Sequence, residues 1–174
     1  MAGSLVKINE VSASGSSSVT LSGIDTTFDV YKVVISDCIP DSDSVFMALR
    51  VTESGTPITS TNYDFAGKLL RADTDTTNSS SEDETSLFLQ GNLTGTNTGE
   101  QVNLVNYIFR ASDSNEFTFF TIESVFLDNS GNLNGLQGSG LYTVASTIDG
   151  VQYFFSSGDI ASGTFSLYGL KKWV

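Results

Sequence analysis

The chain is predicted to be all-β, one antiparallel, jelly-roll-like β-sandwich of about eight to ten strands. Three observations lead there. The 174 residues include 12 Phe, 6 Tyr and 16 Gly but only 2 Pro, and aromatic and β-branched residues in short runs suit a pleated, half-buried surface. Those runs are separated by clusters of Ser, Thr, Gly, Asn and Asp, which are the residues of tight turns. Within most runs apolar and polar residues alternate with period two, and no stretch offers a convincing helical period. The length suits one domain with a substantial core, so residues 1–174 are read as a single unit, and no internal repeat divides them.

The first run, Leu5 to Val11, reads as a strand of open register, because Val6 and Ile8 fall on the face opposite Leu5 and Val11. Ser12 to Ser18 reads as a Ser/Gly loop, Val19-Thr20-Leu21 as a short strand and Gly23-Ile24-Asp25 as a turn. Asp29 to Asp37 is a stronger strand, with Tyr31, Val33 and Ile35 on one face and Val30, Lys32, Val34 and Ser36 on the other. Turn residues Pro40 to Ser44 end it. Val45 to Thr52 is apolar almost throughout, as in a strand covered on both faces by a loop or by a neighbouring subunit. Glu53 to Asn62 has loop composition, and Tyr63 to Arg71 reads as a strand. Residues 72–84 hold no apolar side chain beyond Ala72 and are expected to form an exposed, mobile acidic loop.

The second half keeps the same rhythm. Strands are expected at Thr85 to Gly91, with Leu87 and Leu89 inward, at Gln101 to Arg110 and at Glu116 to Leu127. In the last of these, Phe117 and Phe119 share a face with Val125, while Phe120, Ile122 and Phe126 share the other. The core is assigned to Tyr31, Val33, Ile35, Met47, Leu49, Leu87, Leu89, Phe117, Phe119, Phe165 and Leu167. Asp128 to Asn132 reads as a turn, Asn134 to Gly140 as a loop, and Leu141 to Ala145 and Val151 to Phe155 as strands, the latter following the turn signal Asp149-Gly150. Ile160 to Leu170 closes the fold. There Gly163 suits a turn or bulge at the strand's entry and Gly169 a close approach by another strand or sheet.

Composition also narrows the chemistry. With no histidine, a Ser-His-Asp or Cys-His site is impossible, and the commonest transition-metal ligand is missing. Two carboxylates suffice for glycoside hydrolysis, but Glu116 and Glu123 lie seven positions apart and fall on opposite faces of a regular strand. Asp37, Asp41, Asp43 and the Asp128–Asn132 segment have oxygen ligands without the spacing of a calcium loop, and read as turn formers. Tyr63, Tyr142, Tyr153 and Trp173 are the aromatics available as sugar platforms, although core packing is their commoner fate. Cys38, the one cysteine, cannot form an intramolecular disulfide and reads as an apolar filler beside Val34, Ile35 and Ile39. Catalytic, cofactor and metal residues are therefore expected to be none.

The charge, 20 acidic against 8 basic residues, argues against nucleic acid and against an anionic membrane surface as partners. Met1 to Lys7 lacks the apolar core of a secretion signal and no run reaches the length of a membrane helix, so synthesis in a cytoplasm is expected. Apolar residues on both faces of Val45 to Thr52, Val102 to Phe109 and Phe117 to Phe126 point to self-association. Lys171-Lys172-Trp173-Val174 joins cations to a large aromatic in an otherwise acidic chain. With Leu5 to Ile8 at the other terminus, it is a candidate anchor on a neighbouring subunit, unless Trp173 packs back on its own sandwich.

The closing stretch Ser157-Gly158-Asp159-Ile160, then Ser162-Gly163-Thr164-Phe165-Ser166-Leu167-Tyr168-Gly169-Leu170-Lys171, resembles the last strand of β-sandwich structural proteins in tailed bacteriophages. Phe28 to Ile35, Ala48 to Val51 and Thr61 to Ala66 follow that family in order and rough spacing. The resemblance implies a non-enzymatic virion protein made in the bacterial cytoplasm and carried on the virion exterior. On that basis it is expected to be a capsid decoration or cement protein that forms a homotrimer and binds the major capsid protein or another virion protein. A dimer would satisfy the apolar residues equally well. The second reading is the head of a tail or capsid fibre that binds a receptor or host surface glycan, because one fold serves both.

Overall fold

The computed structural model describes residues 4–171. Thirteen strands follow in order: β1 (Leu5–Ser16), β2 (Val19–Ser22), β3 (Val30–Pro40), β4 (Met47–Glu53), β5 (Thr56–Pro57), β6 (Tyr63–Arg71), β7 (Thr77–Glu84), β8 (Leu87–Phe88), β9 (Val102–Phe109), β10 (Thr118–Leu127), β11 (Leu133–Tyr142), β12 (Gly150–Phe155) and β13 (Ile160–Leu170). No helix occurs among the described residues. All pairings are antiparallel. They form one eight-stranded sheet, β1-β13-β3-β9-β10-β11-β6-β7, and a smaller sheet, β2-β12-β4-β5, with β8 also paired to β4. The all-β sandwich is thus as expected from composition and alternation. The strand number exceeds the expectation partly because β5 and β8 are two-residue strands.

The core is the space between the sheets. From the large sheet it takes Tyr31, Val33 and Ile35 of β3, Leu104 and Ile108 of β9, Phe120, Ile122 and Phe126 of β10, and Phe165 and Leu167 of β13. The small sheet answers with Leu21, Met47, Leu49, Val51, Val151 and Tyr153. Buried tyrosines find partners for their hydroxyls, as low-dielectric burial requires. Tyr31 Oη accepts from Asp25 N at 2.8 Å and donates to Asp25 O at 2.7 Å. Tyr63 Oη accepts from Val51 N at 3.1 Å and donates to Ile58 O, which fastens β6 across to β4. Cys38 is fully buried and unpaired, an apolar filler, and burial pushes its thiol pKa up.

Four sequence expectations are corrected. Phe117 and Phe119 do not enter the core; the opposite face of β10 does, so Phe120 is 2% exposed and Phe119 50%. Both faces of this strand carry aromatics, and alternation alone does not say which looks inward. Residues 77–84 are not part of a mobile loop but the edge strand β7, paired along β6 from Tyr63↔Glu84 to Leu69↔Thr77. An edge strand needs only its backbone for that pairing, so a run of Ser, Asn and acids serves. Asn134 to Gly140 is not a loop but most of β11, paired on both sides. Its glycines mark close approach: a Cβ on Gly140 would meet the Leu87 side chain at 2.7 Å, and one on Gly138 the Phe65 ring at 3.0 Å. Residues 12–16 continue β1 rather than starting a loop.

The closing strand carries its expected bulge, while the close approach at Gly169 comes from the loop residue Phe28 and not from another strand or sheet. Gly163, at φ +151°, sits where the β13–β3 register shifts, and a Cβ on Gly169 would collide with the Phe28 ring at 2.3 Å. The open register of the first strand also has a cause. β1 bulges between Lys7 and Asn9, which lets Ile8 pack against the core while Lys7 stays on the outer face.

Candidate interaction surface

Because the small sheet covers one face of the large sheet, the other face is left as a surface whose side chains the pairing registers arrange in rows. The first row is apolar across six strands. Leu5 stands beside Leu170, Val30 beside Phe109, Phe109 beside Phe119, and Phe119 beside Leu141; Gly169 faces Tyr31, so Leu170 is next to Val30. The row ends on Asp64. The second row runs Lys7, Tyr168, Lys32, Tyr107, Thr121, Ser139, Ala66 and Ser80, and the Lys32 ammonium lies 5.5 Å from the Tyr107 ring centre. Glu10, Ser166, Val34, Val105, Glu123, Gln137, Lys68 and Asn78 form the third. Beyond it, Val125, Leu70 and Leu133 make a second apolar group on β10, β6 and β11, each more than a third exposed.

The outer face of the small sheet is finished differently. Ala48 is fully buried there because its two cross-strand neighbours are Phe154 and Phe88. Phe88 meets Phe46 edge to face at 4.9 Å, and the Arg50 guanidinium stacks 4.3 Å over Phe154. The apolar run Val45 to Thr52 is therefore covered on both faces, as expected, but its outer cover is aromatic side chains of the chain's own sheet and not a neighbouring subunit, so this run does not bear on self-association.

The residues singled out for chemistry do not assemble into a site. Glu123 stands midway along β10, while Glu116 precedes the strand and lies 3.9 Å from Arg110. The five steps along the strand from Thr118 to Glu123 alone span about 16 Å, beyond the ~5–9.5 Å of a glycosidase pair. Asp128 is used by its own turn: Oδ1 accepts from Ser130 N at 3.0 Å and Asn132 N at 2.9 Å, and Oδ2 from Asn92 Nδ2 at 3.1 Å. Burial works to raise its pKa, but the N–H groups of Asn132 and Ser130 outweigh it and hold the carboxyl below its ordinary value. Asp41 likewise accepts from Asp159 N at 2.8 Å, and Asp37 from Gln101 Nε2 at 3.0 Å. No group of three or more His, Cys, Asp or Glu suited to a metal occurs among the described residues.

Tyr63, Tyr142 and Tyr153 are buried and offer no platform to a sugar. Tyr142 donates to Glu53 at 3.0 Å, and burial together with that carboxylate pushes its hydroxyl up to about 12. The candidate anchor is placed in part. Lys172, Trp173 and Val174 lie outside the described residues, and Lys171 is exposed with its N–H on Ser4 O at 3.3 Å. Leu5, 49% exposed, heads the first apolar row. Ile8 turns to the core instead. The two termini are thus adjacent at one edge of the open face.

No protein-family model matches the chain, and no curated protein matches it. Among solved structures it is similar to the fructofuranosidase from Schwanniomyces occidentalis, as a single-site variant complexed with fructosylnystose and as the enzyme complexed with fructose. The TM-scores are 0.28 and 0.26 at 8% identity, over 97% of this chain and 34% of that chain. This chain therefore spans about a third of that enzyme, and at such scores the likeness carries no argument about fold or activity.

Proposed function

We propose that this protein is a non-enzymatic structural component of a bacteriophage virion, a capsid decoration protein that works by binding itself and its neighbours. The observation that carries the reading is the open face of the large sheet, where Phe119, Val125, Leu70 and Leu133 stand uncovered in two apolar groups. Exposed, contiguous apolar surface on a folded domain marks a surface for another macromolecule. The virion context comes from the closing-strand resemblance and the order of the three earlier segments. Lack of histidine and the separation of Glu116 from Glu123 agree with a role in assembly rather than turnover. The adjacent termini, with Leu5 on the face and Lys171 beside it, supply the place where the tail of residues 171–174 would seat the protein on a capsid subunit.

The test uses purified particles. Stoichiometry from stained gels is expected to give hundreds of copies per virion, and Phe119→Asp is expected to fold normally yet fail to join particles. A handful of copies would move the protein to a tail or fibre position. Normal incorporation of the folded variant would remove the open face from the binding role.

A further inference from the structure

We infer that the open face of the eight-stranded sheet mates with the same face of a second copy, giving a two-fold dimer whose axis runs along the strands between β9 and β10. This deepens the reading of that face as an interface and rests on it. Three properties of the face select a second copy as occupant.

Size is the first. Eight strands about 4.8 Å apart and four rows about 7 Å apart make a face of ~34 by ~25 Å, or roughly 800 Å² per protomer, the area a stable specific interface needs. The second is charge. The rows hold Lys7, Lys32 and Lys68 against Glu10, Asp64 and Glu123, with Glu82 at the β7 corner, so the face is balanced to within one charge in a chain of net −12. Two polyanions repel overall, and the balanced face can meet its own copy at little electrostatic cost.

The third property is the arrangement of those charges. β9 and β10 are the fourth and fifth of the eight strands, the middle of the sheet. A two-fold axis between them and along them keeps each row on its own row and exchanges the two edges of the sheet. The apolar row from Leu5 to Leu141 then lies on its copy. Lys68 of β6, exposed and without an ion-pair partner among the described residues, comes over the partner's Ser166 on β13, beside the Glu10 carboxylate, which in each protomer accepts from Ser166 Oγ at 2.9 Å and pairs with Lys7 at 2.6 Å. Lys7 comes over the corner formed by the partner's Asp64 and the partner's Glu82. Glu123 alone among the charged residues of the rows approaches its own copy, half a strand spacing from the axis, with the partner's Lys32 one strand and one row away. Face-to-face sheets pack about 10 Å apart, a gap such a row of Leu, Val and Phe fills. One surface mating with itself closes under two-fold symmetry, whereas a trimer needs two different surfaces. The inference thus replaces the homotrimer implied by the resemblance with a dimer.

Sedimentation equilibrium on the full purified chain tests it. The wild type is expected to be a dimer at micromolar concentration, and Phe119→Asp a folded monomer with association weakened at least ~100-fold, since a dimer would bury an unpaired carboxylate. Lys68→Glu and Glu10→Lys are each expected to weaken the dimer, and together to restore it to within about threefold. Glu123→Gln should tighten it. A wild-type monomer or trimer overturns the dimer, and a dimeric Phe119→Asp overturns the choice of face. Charge variants that weaken additively without mutual rescue overturn the position of the axis. The particle experiment above reads incorporation instead of mass, so a protein that joins virions through this face as a monomer is told apart from one that does not use the face at all.

Discussion

Phe119 and Phe120 are neighbours on β10, yet one is 50% exposed and the other 2%. Strand geometry forces the opposition, because successive side chains leave opposite faces of the sheet. Chemistry does not: each face of β10 carries two or more large apolar residues, with Phe119 and Val125 outward and Phe120, Ile122 and Phe126 inward. The difference lies in what stands opposite. Inward, the small sheet supplies Met47, Leu49, Val51 and Tyr153 as partners. Outward, the described residues supply nothing comparable, although they close the outer face of the small sheet with Phe46, Phe88 and Phe154. That contrast between the two outer faces is what the proposed interface rests on.

The sharpest break in the comparison is Phe120→Ala. It removes a fully packed ring and leaves a cavity between the sheets, so a loss of about 3–5 kcal/mol is expected, seen as a large drop in Tm or in the denaturant midpoint. A loss below about 1 kcal/mol would mean that the inner face is not the core.

The turn after β10 decides which face is which. A slip of one residue between β10 and β11 would exchange Phe119 and Phe120, and the register from Thr118↔Tyr142 to Leu127↔Leu133 is set at Asp128–Asn132. Asp128 N donates to Asn132 O at 2.9 Å, Gly131 at φ +79° turns the chain, and the buried Asp128 carboxylate collects two backbone N–H groups. Asp128→Asn keeps the shape but gives up the charge-assisted acceptor, and about 1 kcal/mol of stability is expected to go with it. Because the folded-state pKa of Asp128 lies below its unfolded value, this contribution is complete above about pH 4. It disappears as pH falls through the folded pKa. Wild type and variant should therefore differ at pH 7 and converge in acid. A gap that stays constant down to the lowest pH at which the protein folds would show that the charge of Asp128 is not what holds the turn.

Much of this was legible in the residues. Tyr31, Val33 and Ile35 sit in a clean alternation, and they are buried. Gly163 and Gly169 announced a bulge and a close approach by position alone. What stayed hidden was whatever depends on a partner distant in sequence. β11 looks like a loop because Gly135, Gly138 and Gly140 carry no side-chain signal, and for Gly138 and Gly140 the reason is the approach of Phe65 and Leu87 from other strands. β7 has no apolar pattern because edge pairing asks for none. Apolar residues on both faces of Val102–Phe109 and Phe117 to Phe126 did flag an uncovered surface. Alternation could not say which face of β10 it was, since that choice belongs to the small sheet. The rows that join Leu5 to Phe119 exist only once β1, β13, β3, β9 and β10 are side by side.

The smallest effect belongs to Phe119→Ser, and it completes the comparison with Phe120→Ala. In an isolated protomer the Phe119 ring is half in water and leaves no cavity when removed, so the substitution should change stability by no more than about 0.5 kcal/mol. Self-association adds a second term, because whatever binds only the folded state raises apparent stability by mass action. Wild type and variant should therefore unfold together in dilute solution and separate as concentration rises, the wild type alone gaining a concentration-dependent Tm. Phe120→Ala should show its full loss at both ends of the concentration range. If Phe119→Ser instead lost several kcal/mol in dilute solution, the outer ring would be part of the protomer's own core, and the contrast between the two faces would fail at its plainest point.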